Sequence, residues 1–437
     1  MENKKKFGFL SIVLLGINGI IGSGIFLVPG ELMALVGPAS MGIILIDMLL
    51  VISLALCFAE AGGMFKKNGG PYIYAREAFG DFIGFEVGFM RWIISIIAWS
   101  AMAVGFSTAL STIWAPAGEG IIKNIIAITI IVSLGTLNIL GVSISKYLNN
   151  IATIGKLIPL ILFIVCGVFF IKGNNYTPFF DSDIYVSGSF GTAILLMFYA
   201  FTGFEGIAIA AEDMENPHKN IPKAIIITIL IVSIFYLSIQ GIVIGILGKT
   251  LATSTAPLAD AAGTFLGTLG FIIVAIGTLI SIVGINISAS FIAPRSAVAL
   301  AKDGLLPRIL AQNSKYGTPY LAIILTVVLA IPLVLTGSFT QLAVISVVSR
   351  FAQYIPTCAA ILVFRKKRPD LIRTFTIPFG PIIPIIAISL SIWILSQSKA
   401  EQIIWGIGGL ILAIPIYFIM KISNKTKTKE NLQKKTG

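Results

Sequence analysis

Apolar residues run along most of this chain in long segments that short polar loops separate. A helix needs about 20 mostly apolar residues to cross a bilayer, and twelve segments reach or approach that length. Their cores are residues 9–35, 41–65, 82–113, 121–141, 149–171, 189–213, 222–248, 268–300, 319–336, 340–364, 379–398 and 402–420. The pattern predicts an all-α integral membrane protein with twelve transmembrane helices.

Glycine interrupts two of these segments near their middle, at residues 22–24 in the first and at residues 201–205 in the sixth. Irregular backbone at membrane depth is tolerated only where it lines a cavity or packs on protein, because lipid offers no hydrogen-bond partner. A pair of broken helices at corresponding places in two halves of a chain indicates the central binding site of a transporter. We therefore expect both breaks to lie at one substrate site.

The composition excludes an ordinary soluble protein. Of the 437 residues, 57% are hydrophobic and 11% charged, with a mean hydropathy of +0.97, whereas a soluble domain carries about 25% charged residues. The three cysteines, Cys57, Cys166 and Cys358, all fall inside predicted spans, and His218 is the only histidine. We therefore expect no disulfide framework, no metal site and no cofactor. Without a nucleophile–base pair we also expect no catalytic residue and no enzyme activity.

The basic residues predict the orientation of the chain. The predicted outer loops contain only Lys123, Lys172, Lys249 and Lys399, and most other basic residues fall in the inner loops and the tail. Since cytoplasmic loops are enriched in Lys and Arg, both termini are predicted to be cytoplasmic in a multi-pass protein of the cell membrane. The net charge of +12 thus indicates topology, and we expect neither nucleic acid nor ATP as a partner.

Five stretches of the sequence carry a family resemblance. They are GINGIIGSGIF at 16–26, AEAGGMFKKNGGPYIYAREAFG at 59–80, the break region 198–225, STAPLADAA at 254–262 and PRSAVALAKDGLLP at 294–307. In this order they resemble motifs of the amino acid–polyamine–organocation (APC) permeases. The resemblance covers nearly the whole chain and implies an amino acid substrate. It does not identify which amino acid.

The resemblance implies a leucine-transporter-type fold, in which helices 1–5 and 6–10 form two inverted repeats and helices 1 and 6 are broken near the midplane. Two peripheral helices lie outside the repeats. The expected division is a cytoplasmic N-terminus at 1–8, a transport core at 9–364 with repeats 9–171 and 189–364, helices 11–12 at 379–420 and a basic cytoplasmic tail at 421–437.

The chemistry of an amino acid predicts which groups would bind it. Backbone N–H groups around Ser23, Gly24 and Ile25, at the start of the second half-helix, suit a carboxylate. Carbonyls at the other half-helix ends suit an ammonium, and Tyr199 and Phe201 are candidate aromatic lids. Helix packing through small residues is the alternative for the glycines. The candidate substrate-binding residues are Gly19, Ile20, Gly22, Ser23, Gly24, Ile25, Tyr199, Phe201, Thr202, Gly203, Glu205, Ile285 and Ala289.

Lys156 is a candidate coupling residue, because an ionisable group inside a span is costly and normally faces protein or a water-filled cavity. Snorkelling of its side chain to the inner interface is the alternative. The resemblance implies that its ammonium replaces the second sodium ion of sodium-coupled relatives and bridges the helix 1 break to helix 8. Ser281, Asn286 and Ser288 are the candidate partners there. We expect sodium-independent transport, with proton coupling and plain exchange both open.

Glu205 leaves the substrate class open. Its carboxylate could titrate with transport, contact a cationic substrate, or accept N–H bonds from the second half-helix. A mostly small and apolar lining favours small or aliphatic neutral amino acids; a cationic amino acid or polyamine antiporter is the alternative, and an amino acid-sensing transceptor a more distant one. Other charged residues in the spans are expected at the membrane interface, with gating bridges as the alternative: Asp47, Glu86, Arg91 and Arg350. The oligomeric state stays open.

Overall fold

The structure is a computed structural model and describes residues 7–65, 69–141, 146–180, 188–209 and 214–436. These residues are almost entirely helical, and the β-type pairing among them is one isolated parallel bridge between Phe7 and Met214. The all-α prediction is therefore confirmed. Most of the predicted N-terminal segment and the last four residues of the sixth predicted core lie outside the described residues.

Fifteen α-helices occupy the described part of the chain. They are α1 (Phe9–Ile20), α2 (Ser23–Val36), α3 (Ser40–Met64), α4 (Pro71–Phe79), α5 (Asp81–Leu110), α6 (Gly120–Ile139), α7 (Lys146–Gly167), α8 (Ser189–Phe201), α9 (Gly206–Ile209), α10 (Pro217–Leu247), α11 (Pro257–Lys302), α12 (Tyr320–Thr336), α13 (Phe339–Lys367), α14 (Ile382–Ser396) and α15 (Ala400–Thr436). Each predicted apolar core coincides with one or two of these helices.

Helix length and composition support membrane embedding. Within the described ranges, nine helical segments are long and apolar enough to cross a membrane, and α1, α12 and α14 are shorter apolar helices. Large apolar side chains remain exposed on the outer helices, for example Ile121 on α6, Ile158 on α7 and Ile404 on α15. A soluble protein rarely exposes so much contiguous apolar surface, whereas lipid covers it at no cost.

Both predicted breaks are present. The first divides α1 from α2, with Ile21 in an extended conformation (φ −70°, ψ 98°) and Gly22 also non-helical. The second divides α8 from α9: Thr202 is extended (φ −73°, ψ 153°), and Gly203 has φ +117°. That positive φ suits glycine and would strain a residue with a Cβ atom. Both helices are thus interrupted where the glycines predicted it.

Two helices extend further than predicted. The eighth core was predicted at 268–300, but α11 begins at Pro257 and includes the stretch predicted as an outer loop. Proline is favourable in a first helical turn because its missing N–H would be unpaired there anyway. A non-helical glycine, Gly267 (φ 61°, ψ −156°), separates this first part from the rest. The last helix, α15, continues through Thr436 into the basic tail.

The helices α3 and α10 pack together antiparallel along most of their length. Near one end, Gln240 Nε2 donates to Ser40 Oγ at 3.1 Å. Near the other end the helices come so close that a Cβ atom on Gly62 would lie 2.8 Å from Ile221 Cγ2. These two contacts fix the register of the pair.

Polar contacts connect the short helix α4 to the end of α11. Tyr72 donates its hydroxyl to Asp303 Oδ2 at 2.5 Å, and Arg76 forms ion pairs with Asp303 and with Asp81. Burial raises the pKa of the Tyr72 phenol, and the hydrogen bond and negative charge of Asp303 raise it further. The phenol therefore stays protonated and donates at physiological pH.

We expect Tyr72→Phe to destabilise the protein by about 1.5–3 kcal/mol, the usual contribution of a hydrogen bond to a charged group. Thermal unfolding of purified protein in detergent, compared with the wild type, measures this loss. Tyr316→Phe is the matched control, because Tyr316 lies in the loop before α12 with its side chain exposed. Equal unfolding temperatures for Tyr72→Phe and the control would contradict the assigned hydrogen bond.

Candidate functional site at the two helix breaks

The two helix breaks pack directly against each other. A Cβ atom built on Gly203 would lie 2.2 Å from the carbonyl oxygen of Gly19, and one built on Gly24 would lie 2.7 Å from Ala200 Cα. Only glycine permits backbone contacts this close. The glycines at both breaks therefore allow four half-helices to meet at one point, as the sequence predicted.

A small cavity lies at this junction. Its lining combines backbone of both breaks with side chains of α5 and α11. The lining residues are Gly19, Ile20, Gly22, Ser23, Gly24, Met102, Tyr199, Ala200, Thr202 and Ile285. The positive end of α2 points at the cavity through Ser23 and Gly24, whose N–H groups have no acceptor within their own helix.

Eight of the predicted substrate-binding residues line this cavity, and five do not. The five others are Ile25, Phe201, Gly203, Glu205 and Ala289. Two lining residues, Met102 and Ala200, were not predicted. Ala200 lies between two predicted aromatic residues and could have been inferred from its position, whereas Met102 is one apolar residue among many in its span and gave no signal.

The two aromatic residues predicted as lids have different surroundings. Tyr199 lines the cavity, and its hydroxyl lies 3.1 Å from Ser23 Oγ across the junction. The Tyr199 ring also meets Phe339 of α13 edge to face, with 5.7 Å between the ring centroids. Phe201 is fully buried against Tyr236 of α10, with 5.0 Å between centroids, so in this conformation it packs in the core and not over the cavity.

Several carbonyls at the breaks already accept hydrogen bonds from side chains. The carbonyl of Tyr199 accepts both the N–H of Thr202 at 3.1 Å and the Thr202 hydroxyl at 2.7 Å. Tyr236 donates to the carbonyls of Ala200 at 2.9 Å and Ile20 at 3.3 Å. The Tyr236 hydroxyl thus connects the first break to the second from the side of α10.

Lys156 lies beside the first break and is fully buried. Its Nζ donates to the carbonyl of Ile21 at 2.6 Å and to that of Asn18 at 3.3 Å. Both carbonyls belong to the last turn and the interruption of the first helix. The snorkelling alternative is wrong for this conformation, since the ammonium points into the protein.

The bridge that the resemblance implies would join Lys156 to the eighth predicted span, which is α11 in the structure. No such bond is among the hydrogen bonds that the structure describes. Asn286 of α11 instead donates to the carbonyls of Met102 at 3.1 Å and of Ile282 at 2.9 Å. Ser281 is buried with no hydrogen-bond partner for its hydroxyl among the described residues, and Ser288 is half-buried. The described bonds of Lys156 therefore reach only the helix 1 break.

Glu205 is fully buried directly after the second break. Its Oε1 accepts from Arg350, in a close contact, and from Arg91 at 3.1 Å; its Oε2 accepts the N–H of Gly203 at 3.0 Å and the hydroxyl of Tyr354 at 3.1 Å. The carboxylate thus connects the second helix break to α5 and to α13. Two guanidinium groups share one carboxylate, so this cluster carries one excess positive charge.

The expected interface placement of Asp47, Glu86, Arg91 and Arg350 is wrong, because all four side chains are buried in the protein. The two arginines were missed as members of the site. An ionised carboxylate inside a span is normally paired with a cationic group, which the sequence could have signalled. It could not identify which arginine, since Arg91 and Arg350 lie 114 and 145 residues away from Glu205.

A comparison with known families decides the identity of this arrangement. The family described as "Amino acid permease" matches residues 7–428, which is nearly the whole chain. The chain belongs to this family of amino acid permeases. The predicted resemblance to APC permeases is therefore confirmed, and the protein is a multi-pass membrane transporter for an amino acid rather than an enzyme.

Individual relatives of the permease cover most of its length. An uncharacterized transporter of Mycobacterium tuberculosis is 36% identical over 83% of this chain and 81% of its own. The serine/threonine exchanger SteT of Bacillus subtilis is 30% identical over 96% of this chain and 97% of its own. The branched-chain amino acid permease BcaP of the same organism is 28% identical over 95% and 93%.

Gly24 provides a direct test of the junction in this permease. We expect Gly24→Val to lower the affinity for substrate at least about tenfold, because the valine side chain would collide with the backbone of Ala200. Gly42→Val in α3 is the matched control, since a Cβ atom there meets nothing within 4 Å. Binding of labelled amino acid to purified protein measures both variants, and unchanged affinity for Gly24→Val would move the site elsewhere.

Proposed function

We propose that this permease is a sodium-independent secondary active transporter of small or aliphatic neutral L-amino acids, working by alternating access. The observation that carries the proposal is the cavity at the junction of the two breaks, where an N-terminal half-helix end meets C-terminal ones. The α-carboxylate would bind at the N–H groups of Ser23 and Gly24. The α-ammonium would bind at the carbonyl of Gly19, because the carbonyls of Ile20 and Tyr199 already accept hydrogen bonds.

The side-chain part of the cavity supports a neutral substrate. Ile20, Met102, Ala200 and Ile285 present apolar surface, which suits an aliphatic or small side chain. The names of two relatives, a serine/threonine exchanger and a branched-chain amino acid permease, also point to neutral substrates.

The Glu205 cluster argues against the cationic alternative. A distal ammonium would need a carboxylate with spare capacity, but Glu205 already accepts from Arg91, Arg350 and Tyr354. The excess positive charge of the two arginines would repel a cationic side chain in a site of low dielectric. We therefore assign Glu205 to the structure of the break and not to substrate recognition.

Lys156 supports sodium independence. Its ammonium already lies against the carbonyls of the first break and donates to two of them. A cation bound at the same carbonyls would be repelled by it and would compete for the same oxygen atoms.

The proposed transporter has twelve transmembrane helices in the cell membrane, and both of its termini are cytoplasmic. Helices α1 to α7 would form the first repeat, and α8 to α13 the inverted second one, which places the two breaks at corresponding positions. The last two helices, α14 and α15, would lie outside the repeats.

Counterflow in sodium-free proteoliposomes tests the proposed substrate class. Vesicles loaded with unlabelled alanine, serine or leucine are expected to accumulate labelled serine or leucine transiently, and loading with arginine or ornithine is expected to give no stimulation. Stimulation by cationic amino acids alone would contradict the proposal and favour the cationic antiporter. Binding without flux under any pairing would favour a sensor.

A further inference from the structure

Asp47 is an acidic residue that the site described above does not use. It lies on α3, seven residues or about 10 Å from the helix start, and is completely buried. Neither carboxylate oxygen has a hydrogen-bond partner among the described residues. A buried carboxylate without a counter-charge or hydrogen bond is strongly unfavourable, whereas the neutral acid is tolerated far better.

The register of α3 against α10 identifies what faces Asp47. Seven residues are close to two helical turns, so Asp47 lies on the same face of α3 as Ser40. On α10, Ser233 lies seven residues before Gln240, which donates to Ser40. In an antiparallel pair these two steps bring Ser233 level with Asp47.

Ser233 is itself an unexplained polar residue. Its side chain is buried, and its hydroxyl has no hydrogen-bond partner among the described residues. A buried hydroxyl without a hydrogen-bond partner is rare in native structures and requires a physical explanation. Two buried polar groups therefore lie at one level of the α3–α10 pair, and the structure describes no hydrogen bond between them.

The charged groups on the surrounding helices are engaged elsewhere or distant. On α13, Arg350 pairs with Glu205 and Arg365 with Glu60, and the basic residues of α10 lie in its first two turns, ten or more residues before Ser233. The titratable and charged groups on the helices packed against α3 are His218, Lys219, Lys223 and Tyr236 of α10, Tyr199 of α8, Arg350, Tyr354, Cys358, Arg365, Lys366 and Lys367 of α13, and Glu31 of α2, with Cys57 and Glu60 on α3 itself.

We propose that Asp47 is the proton-binding residue of this permease, with the Ser233 hydroxyl available to it at the same level of α10 when the packing changes, and that the transported amino acid enters together with the proton. The proton comes from the outer solution, joins the carboxylate to form the neutral acid, and leaves on the inner side; no other bond forms or breaks. The inference rests on the proposed transport function and adds the coupling ion to it.

A short path connects this pair to the cavity. Tyr236 lies three residues after Ser233 on α10, about one helical turn further along. Its hydroxyl donates to Ala200 and Ile20, which both line the cavity. A change in the packing of α3 on α10 that follows proton binding at Asp47 would therefore shift the hydrogen bonds that connect the two breaks.

Proteoliposomes with the membrane potential clamped at zero test this proposal. With one proton per substrate, an external pH one unit below the internal pH drives about a tenfold accumulation of labelled neutral amino acid. We expect the wild type to reach this value. Asp47→Asn should reach no accumulation above equilibrium while keeping counterflow at symmetric pH within about twofold of wild type. Asp370→Asn, in an exposed inner loop, should behave as wild type.

Three outcomes would overturn the proposal. The first is full proton-driven accumulation by Asp47→Asn, and the second is a wild type that shows counterflow but no accumulation. In both cases the transport function would stand without this proton site, whereas loss of counterflow in the wild type would overturn the transport function itself. If Asp47→Asn does not fold, Ser233→Ala replaces it: we expect a shifted pH for half-maximal accumulation, and an unshifted profile is the third contradicting outcome.

Discussion

Replacing Lys156 by alanine is expected to reduce amino acid transport by about a hundredfold, close to the background of empty liposomes. The Lys156 ammonium donates to the carbonyls of Ile21 and Asn18, and both bonds disappear with the side chain. A hydrogen bond to a charged group contributes about 1.5–3 kcal/mol, and 3 kcal/mol corresponds to roughly a hundredfold change in the population of the competent break. Counterflow of labelled serine or leucine measures the loss.

Two controls separate charge from bulk and from general damage. Lys156→Met keeps most of the volume but not the donor, so it should lose transport as Lys156→Ala does. Lys172→Ala removes an exposed lysine that follows the same span and should transport like the wild type. Wild-type flux in Lys156→Met would show that the ammonium is dispensable at the break.

Removing the Glu205 carboxylate is expected to destabilise the permease more than any other single charge removal in the membrane region. Glu205→Ala leaves two buried guanidinium groups, those of Arg91 and Arg350, without their shared counter-charge. Breaking a buried ion pair from one side costs about 3–5 kcal/mol. Arg91→Met should cost clearly less, because Glu205 then still pairs with Arg350.

Thermal unfolding of purified variants in detergent ranks these costs. Glu31→Ala, at an exposed position of α2, is the matched control and should unfold like the wild type. An unfolding temperature of Glu205→Ala equal to that of the control would contradict the structural role. A larger loss for Arg91→Met than for Glu205→Ala would show that the carboxylate is not the centre of the cluster.

Much of this fold could be predicted because lipid makes the sequence rules strict. A helix satisfies all the backbone hydrogen bonds of an apolar segment within the bilayer, so long apolar runs predict helices. Glycines near the middle of such a run predict where the helix is broken. The structure has both breaks within a residue or two of residues 22–24 and 201–205. The ends of α11 and α15 were less predictable, since outside the apolar core no comparable constraint separates helix from loop.

The partners of charged residues could not be predicted in the same way. A carboxylate or an ammonium within a span, such as Glu205 or Lys156, indicates that a partner is needed. Which group becomes that partner depends on which helices become neighbours in the fold. Arg91 and Arg350 reach Glu205 from α5 and α13, and Lys156 reaches backbone carbonyls of α1. Backbone acceptors have no signature in a side-chain pattern, and the partners of Glu205 lie far away in sequence.

Substrate protection of a cysteine at Ser23 tests most directly whether an amino acid binds between the two breaks. Ser23→Cys is made in a protein whose three native cysteines are replaced by alanine, and modification by a membrane-permeant thiol reagent is followed with and without saturating serine or leucine. We expect the amino acid to slow modification at position 23, while Lys172→Cys in the loop after α7 reacts at the same rate with or without it. Equal rates at position 23 under both conditions, in protein that still transports, would contradict a substrate site at the junction.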